Sequence, residues 1–125
     1  MFRHVVLIAF GGGVGSVCRY YGQLLVARYF AQPFPLGTLL VNVLGCLLIG
    51  SFYALAERGT IASPELRLLL TTGFCGGFTT FSTFSYETLT LLENGQYALV
   101  ALYVAGSVLL GLLAAFAGVA LVRAV

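Results

Sequence analysis

Four long apolar runs, separated by three short polar connections, make up almost the whole chain. They lie at residues 5–30, 36–56, 66–92 and 97–122, and each approaches or exceeds the roughly 20 residues that an α-helix needs to cross a bilayer core. The runs lack the short alternating segments that are typical of transmembrane β-barrels. The pattern predicts an all-α integral membrane protein, with four transmembrane helices in a single domain, residues 1–125.

The connections carry residues that end and start helices. The segment AQPFP, residues 31–35, ends the first run, because proline cannot continue a helix and restricts the residue before it. Before the third run, Ser63 is suited to cap the helix, Pro64 to its first position and Glu65 to its first turn. The sequence therefore predicts a helix start at Pro64.

The composition leaves no room for a soluble domain. Of 125 residues, 60% are hydrophobic and 8% are charged, whereas average chains have about 25% charged residues. The net charge is +2, and no cluster of basic residues points to a nucleic-acid partner. Cys18, Cys46 and Cys75 lie in different runs without a Cys-x-x-Cys spacing, which favours reduced thiols over a disulfide or a metal site.

The arginines give a weak orientation signal. Arg3, Arg58, Arg67 and Arg123 fall on the side of both termini, and the opposite side has only one or two arginines. The positive-inside rule places the termini in the cytoplasm. An excess this small is also compatible with insertion in both orientations.

Several polar side chains lie inside the apolar runs, where they are unfavourable without partners. Asn42 could serve only to bond two helices together, Arg19 could extend to the interface, and Ser107 could bond to its own helix. Glu87 and Tyr103 add two further groups. Taken singly each has a structural explanation, but together they favour a polar path through the membrane.

The third run contains the least regular stretch, GFCGGFTTFSTF at residues 73–84. Gly76 and Gly77 weaken a helix, which predicts a break near the middle of this span. Free backbone groups at such a break are tolerated only when buried, bound to an ion or facing a wet cavity. The phenylalanines are typical of core packing, although the positive ring edges of Phe81 and Phe84 would also suit a small anion.

Three segments resemble the signature segments of the Fluc (CrcB-type) fluoride channel family: GGGVGSVCRY, PLGTLLVNVLGCLLIG and GFCGGFTTFSTFSYET. The resemblance extends over essentially the whole chain. It implies a fluoride-selective channel, not an enzyme, that passively exports cytoplasmic fluoride down its electrochemical gradient. It also implies an antiparallel, dual-topology homodimer in the bacterial plasma (inner) membrane, with two pores along the interface.

The resemblance also assigns roles to individual residues. Arg19 corresponds to a vestibule arginine, and the backbone carbonyls of Gly76 and Thr79 would hold a structural Na⁺ on the dimer axis. One departure is Gly111, where family members often have a hydroxyl one turn beyond Ser107. The residues implied for the fluoride pathway are Asn42, Phe81, Phe84, Tyr103 and Ser107, together with Thr83, Thr38 and Glu87.

Two other classes of protein remain as alternatives. A small multidrug-type proton-coupled exporter has the same span number, but it needs a carboxylate deep in its first span, and this chain has none there. An assembly protein could use the small-residue spacing of Gly11-x-x-x-Gly15 and Gly111-x-x-x-Ala115 for helix packing alone. Such a protein would not need the polar residues inside the runs. The expected partners are fluoride, a second copy of the chain and the lipid bilayer, with no nucleic acid.

Overall fold

The computed structural model describes residues 1–125, and the chain is helical throughout. Three helices are continuous, long and apolar enough to cross a membrane, whereas the third apolar run is divided into four pieces. This confirms four helical spans, with the third interrupted near its middle. The elements are α1 (Phe2–Tyr29), α2 (Leu36–Glu57), α3 (Pro64–Leu68), a π-helix (Leu69–Cys75), α4 (Gly76–Phe78), α5 (Phe81–Glu93) and α6 (Tyr97–Ala124).

The third span begins at the predicted cap. The Ser63 hydroxyl oxygen accepts a hydrogen bond from the backbone N–H of Leu66 at 3.3 Å, and Pro64 is the first helical residue. The hydroxyl also donates to the Glu65 carboxylate at 2.9 Å. The pKa of Glu65 is lowered mainly by a hydrogen bond from the Glu65 backbone N–H and, to a smaller extent, by the bond from Ser63. The carboxylate is therefore ionised at neutral pH beside the positive end of the helix dipole.

Glycines on α1 allow the third span to pack directly against its backbone. A side chain at Gly11 would lie only 2.6 Å from the Leu69 carbonyl oxygen, and one at Gly15 would overlap the Phe74 carbonyl. Without these side chains, α1 lies in backbone contact with the π-helix and α4. The predicted role of the first-run glycines in helix packing is confirmed.

Helices α2 and α6 form a second close pair. A side chain at Gly50 would overlap the Ala115 carbonyl, and one at Gly118 would overlap the Leu47 carbonyl. At the end of this pair the Arg58 guanidinium donates to the Val122 carbonyl. The two pairs, α1 with the third span and α2 with α6, make up the bundle.

The break in the third span falls at Thr79 and Thr80, at the end of the stretch from Gly76 to Thr79 in which it was expected. Thr79 has φ −87° and ψ 157°, and Thr80 has φ −149° and ψ 115°, so both are extended. Gly76 and Gly77 themselves are helical residues of α4, so the extended backbone begins one residue after the glycine-containing turn. Gly77 instead allows close packing, since a side chain there would overlap the Gly12 backbone.

Candidate functional site

Asn42 of α2 pairs with the broken backbone through both ends of its amide. Its Oδ1 accepts from the Thr80 N–H at 2.8 Å, and its Nδ2 donates to the Thr80 carbonyl at 3.2 Å. In an unbroken helix the Thr80 N–H would bond to the Gly76 carbonyl four residues earlier. Asn42 therefore replaces helical hydrogen bonds that the break removes, and it holds the break against α2.

The threonines at the break also complete helix ends. Thr79 donates its hydroxyl to the Cys75 carbonyl at 2.9 Å. Thr80 caps α5, since its hydroxyl oxygen accepts from the Thr83 N–H at 3.2 Å and the group lies 3.1 Å from the Thr83 hydroxyl. The Thr80 hydroxyl thus pairs a backbone N–H at the start of α5, while the Thr79 hydroxyl adds a second bond to a carbonyl that already accepts from the Thr79 N–H.

Arg19 contacts the same region from α1. Its Nε donates to the Gly77 carbonyl at 3.2 Å, and the Ser16 hydroxyl lies 3.4 Å from that carbonyl. The side chain thus stabilises the last turn of α4 instead of simply extending to the membrane surface. It borders neither of the two cavities described below, and its predicted vestibule role stays a prediction.

A groove of about 410 Å³ lies between α2, the break and α6. Phe81 and Phe84 border it with ring centroids 5.6 Å apart, and 79% of Phe81 is exposed. Ser107 on α6 also borders the groove, and its hydroxyl is shielded from solvent and has no hydrogen-bond partner. The interpretation that Ser107 bonds to its own helix is therefore wrong. The lining includes Asn42, Gly45, Cys46, Ile49, Thr71, Cys75, Gly76, Thr79, Thr80 and Val108.

A second cavity, of about 310 Å³, lies between the ends of α1, α2 and α5. Thr38, Thr83 and Glu87 border it, as does Gln23 of α1. The Gln23 amide donates to the Thr38 hydroxyl oxygen at 3.0 Å, and Thr38 donates to Glu87 Oε1 at 2.7 Å. This cavity is therefore bordered by the Glu87 carboxylate, which accepts a hydrogen bond from the Thr38 hydroxyl.

Tyr103 connects the two cavities. Its hydroxyl donates to Glu87 Oε2 at 2.8 Å, and its ring lies 4.9 Å from the Phe84 ring between centroids. Phe34 packs edge-on against its other side at 5.5 Å. Tyr103 is completely buried, so the tyrosine fixes both the carboxylate and the aromatic wall of the groove.

Comparison with known proteins identifies the family. The family model described as CrcB-like protein, Camphor Resistance (CrcB), matches residues 6–119. The chain belongs to the CrcB family. A relative from Rhizobium johnstonii, named fluoride-specific ion channel FluC, is 51% identical over 119 residues, which cover 95% of each chain. A relative of the same name from Bacteroides fragilis is 51% identical over 93% of each chain. Another, from Leptospira interrogans, is 46% identical over 97% of this chain and 95% of the relative.

Membership of the CrcB family decides between the classes of protein that the sequence left open. These relatives are named as ion channels, and the chain is a channel-family protein and not an enzyme. Nothing in the comparisons supports the small multidrug-type exporter. With its apolar helices, this CrcB protein is a multi-pass bacterial membrane protein.

The predicted pathway residues of this CrcB protein form two neighbouring groups. Asn42, Phe81, Phe84 and Ser107 border the groove, while Thr38, Thr83 and Glu87 border the second cavity and Tyr103 lies between them. Gly76 and Thr79, whose carbonyls were expected to hold Na⁺, also border the groove, and their role at an ion stays a prediction. Whether these residues contact an ion stays a prediction.

Sequence reasoning missed Gln23 and Cys46. Gln23 lies on the same face of α1 as Ser16 and Arg19, at a spacing of seven and four residues, and this polar stripe could have been found from the helical period. Cys46 borders the groove, and its sulfur would lie 3.4 Å from a side chain at Gly111. The thiol thus occupies the space beside the α6 position where this chain departs from the family pattern.

Proposed function

We propose that this protein is a fluoride-selective channel, through which fluoride that has accumulated in the cytoplasm leaves down its electrochemical gradient. The names of its relatives point to fluoride. The observation in the structure that supports the proposal best is the buried hydroxyl of Ser107, which has no partner and belongs to a residue that borders the same groove as Phe81 and Phe84. A passive channel needs no nucleophile and no energy-coupling site.

A buried hydroxyl without a partner is unfavourable by about 1–3 kcal/mol, and this cost is removed when a species in the groove accepts a hydrogen bond from it. Fluoride is a compact, strongly hydrogen-bonding anion, and it suits this donor. The Phe81 and Phe84 rings add positive edges, which attract an anion without binding it as strongly as a full positive charge. We propose that fluoride passes from the groove past Phe84 and Tyr103 to the cavity bordered by Thr38, Thr83 and Glu87.

We further propose that the working channel is an antiparallel homodimer of dual topology, with two pores along its interface. The groove is open on one side, where the Phe81 ring is exposed, and a second copy would cover it. The weak arginine asymmetry suits insertion in both orientations.

We also propose a structural Na⁺ on the axis of this dimer. The residues fit the ion, because the Thr80 N–H bonds to Asn42 and leaves the Gly76 carbonyl without its usual helical donor. Backbone carbonyls at the end of a broken helix are suitable ligands for Na⁺. Gly76 and Thr79 of each copy would supply the oxygens, and the bound ion would hold the two breaks together.

Fluoride efflux from liposomes tests the function. Vesicles loaded with potassium fluoride receive valinomycin, and an electrode follows external fluoride, with a parallel chloride experiment. Wild-type protein should release fluoride rapidly and chloride slowly, and Phe81→Ile should abolish fluoride release. Phe116→Ile is the matched control, since Phe116 is a similarly exposed ring, at 73%, on α6 away from the groove. The absence of fluoride release from folded wild-type protein would refute the channel function.

A further inference from the structure

Gln23 begins a chain of hydrogen bonds that runs in one direction to Glu87. A threonine hydroxyl has a single proton. Because the Thr38 oxygen accepts from the Gln23 amide at 3.0 Å, its proton stays directed to Glu87 Oε1 at 2.7 Å. The Tyr103 hydroxyl donates to the second carboxylate oxygen, Oε2, at 2.8 Å. Both oxygens of Glu87 are therefore bound by donors.

The backbone is built to bring Gln23 to this place. A side chain at Gly37 would lie 3.4 Å from the Cα atom of Gln23, an ordinary contact distance, so the start of α2 packs beside Gln23 of α1. Thr38, the next residue, is only 2% exposed. The Gln23 amide is thus the only side-chain donor to a hydroxyl that solvent scarcely reaches.

We propose that Gln23 is a positioning residue for anion passage: its amide keeps Thr38 donating to Glu87, and so weakens the negative field of that carboxylate in the cavity. The proposal rests on the proposed function. A hydroxyl that accepts a hydrogen bond becomes a better donor, because bonds in a chain polarise one another. Without the Gln23 amide, Thr38 donates less strongly, and the carboxylate repels an anion more.

The first test removes the amide. Gln23→Met should slow fluoride efflux roughly fivefold, because Thr38 keeps its bond to Glu87 and loses only the bond that strengthens it. Gln96→Met, which removes a glutamine at the start of α6 that has no capping bond, should leave the rate unchanged. An unchanged rate for Gln23→Met, with active wild-type protein, would overturn the inference alone. Inactive wild-type protein would overturn the proposed function instead.

A double-mutant cycle separates positioning from general packing. If Gln23 acts through Thr38, the effect of Gln23→Met should disappear when Thr38→Val has already removed the hydroxyl. Additive effects of the two substitutions would mean that Gln23 contributes only to packing, and they would overturn the inference.

Gln23→Glu provides a reversible test within one protein. The new carboxyl group can donate to Thr38 only when protonated, and when ionised it adds a second negative charge. Fluoride efflux should therefore rise as the pH falls from about 8 to about 5.5, after correction for leakage from protein-free vesicles. The titratable groups facing this position are Glu87 on α5 and Tyr103 on α6, while α2 contributes only Thr38. A pH profile equal to that of the wild type would contradict the inference, and a folding defect cannot imitate the reversal.

Discussion

Replacing Asn42 by leucine tests how the break is held. Asn42→Leu keeps the volume of the side chain and removes both amide bonds to the Thr80 backbone, at 2.8 and 3.2 Å. Hydrogen bonds between membrane helices contribute about 0.6 kcal/mol on average, which gives a minimum near 1 kcal/mol for the pair. The Thr80 N–H and C=O would also lose their partners, and each unpaired buried group costs about 1–3 kcal/mol. We expect the free energy of unfolding to fall by about 2–4 kcal/mol.

The assay is reversible unfolding in mixed micelles, followed by circular dichroism. Ser51→Ala is a control on the same helix, because the Ser51 hydroxyl only returns to the Leu47 carbonyl of its own turn. That control should change the free energy by less than about 0.5 kcal/mol. If Asn42→Leu destabilises the protein no more than Ser51→Ala, then the amide does not hold the break, and the argument from its two bonds is wrong.

Two further predictions follow from packing and from the groove. Gly15→Ala would place a methyl group against the Phe74 carbonyl, and it should lower the free energy of unfolding by more than about 2 kcal/mol in the same micelle assay. Gly13→Ala is the control: its methyl group meets open space, so the free energy of unfolding should change little. Methanethiosulfonate labelling of Cys46 should fill part of the groove and slow fluoride efflux, with the extent of labelling checked by mass spectrometry. Labelling of the exposed Cys18 is the control and should leave the efflux rate unchanged. Equal efflux before and after Cys46 is labelled would contradict this prediction.

The helical spans could be predicted because their signals are local. Apolar run length predicts a membrane helix by itself, and Ser63 with Pro64 marks a helix start within three residues. The π-helix at Leu69–Cys75 and the position of the break were not predictable in this way. The break is held by Asn42, which lies 38 residues before Thr80 and bonds to its backbone, and nothing in the local sequence marks the π-helix. Glycine propensity therefore indicated the region of the break, but not which two residues are extended.

Site residues could be predicted where a polar residue stands inside an apolar run. They could not be predicted where a residue joins the site only because the folded chain brings another helix to it. Asn42, Glu87 and Tyr103 stand out in apolar runs, and the structure gives each of them a polar partner from another helix. Gln23 was missed because one glutamine near the end of a span resembles an ordinary surface residue. Only the approach of the start of α2, which brings Thr38 within hydrogen-bond distance, turns it into a partner of the network.

The hydroxyl-rich composition of the third span overstates how many donors an anion would find. The hydroxyls of Thr79 and Thr80 are engaged by the backbone and by Thr83, so they build the break. On α6, the Tyr103 hydroxyl is directed to a carboxylate, and only Ser107 has a buried hydroxyl without a partner. An anion in the groove would therefore depend on one hydroxyl and on ring edges. Because fluoride is more strongly hydrated than chloride, so small a set of donors does not by itself favour fluoride, and the proposed preference requires further donors, which a second copy of the chain covering the groove would supply.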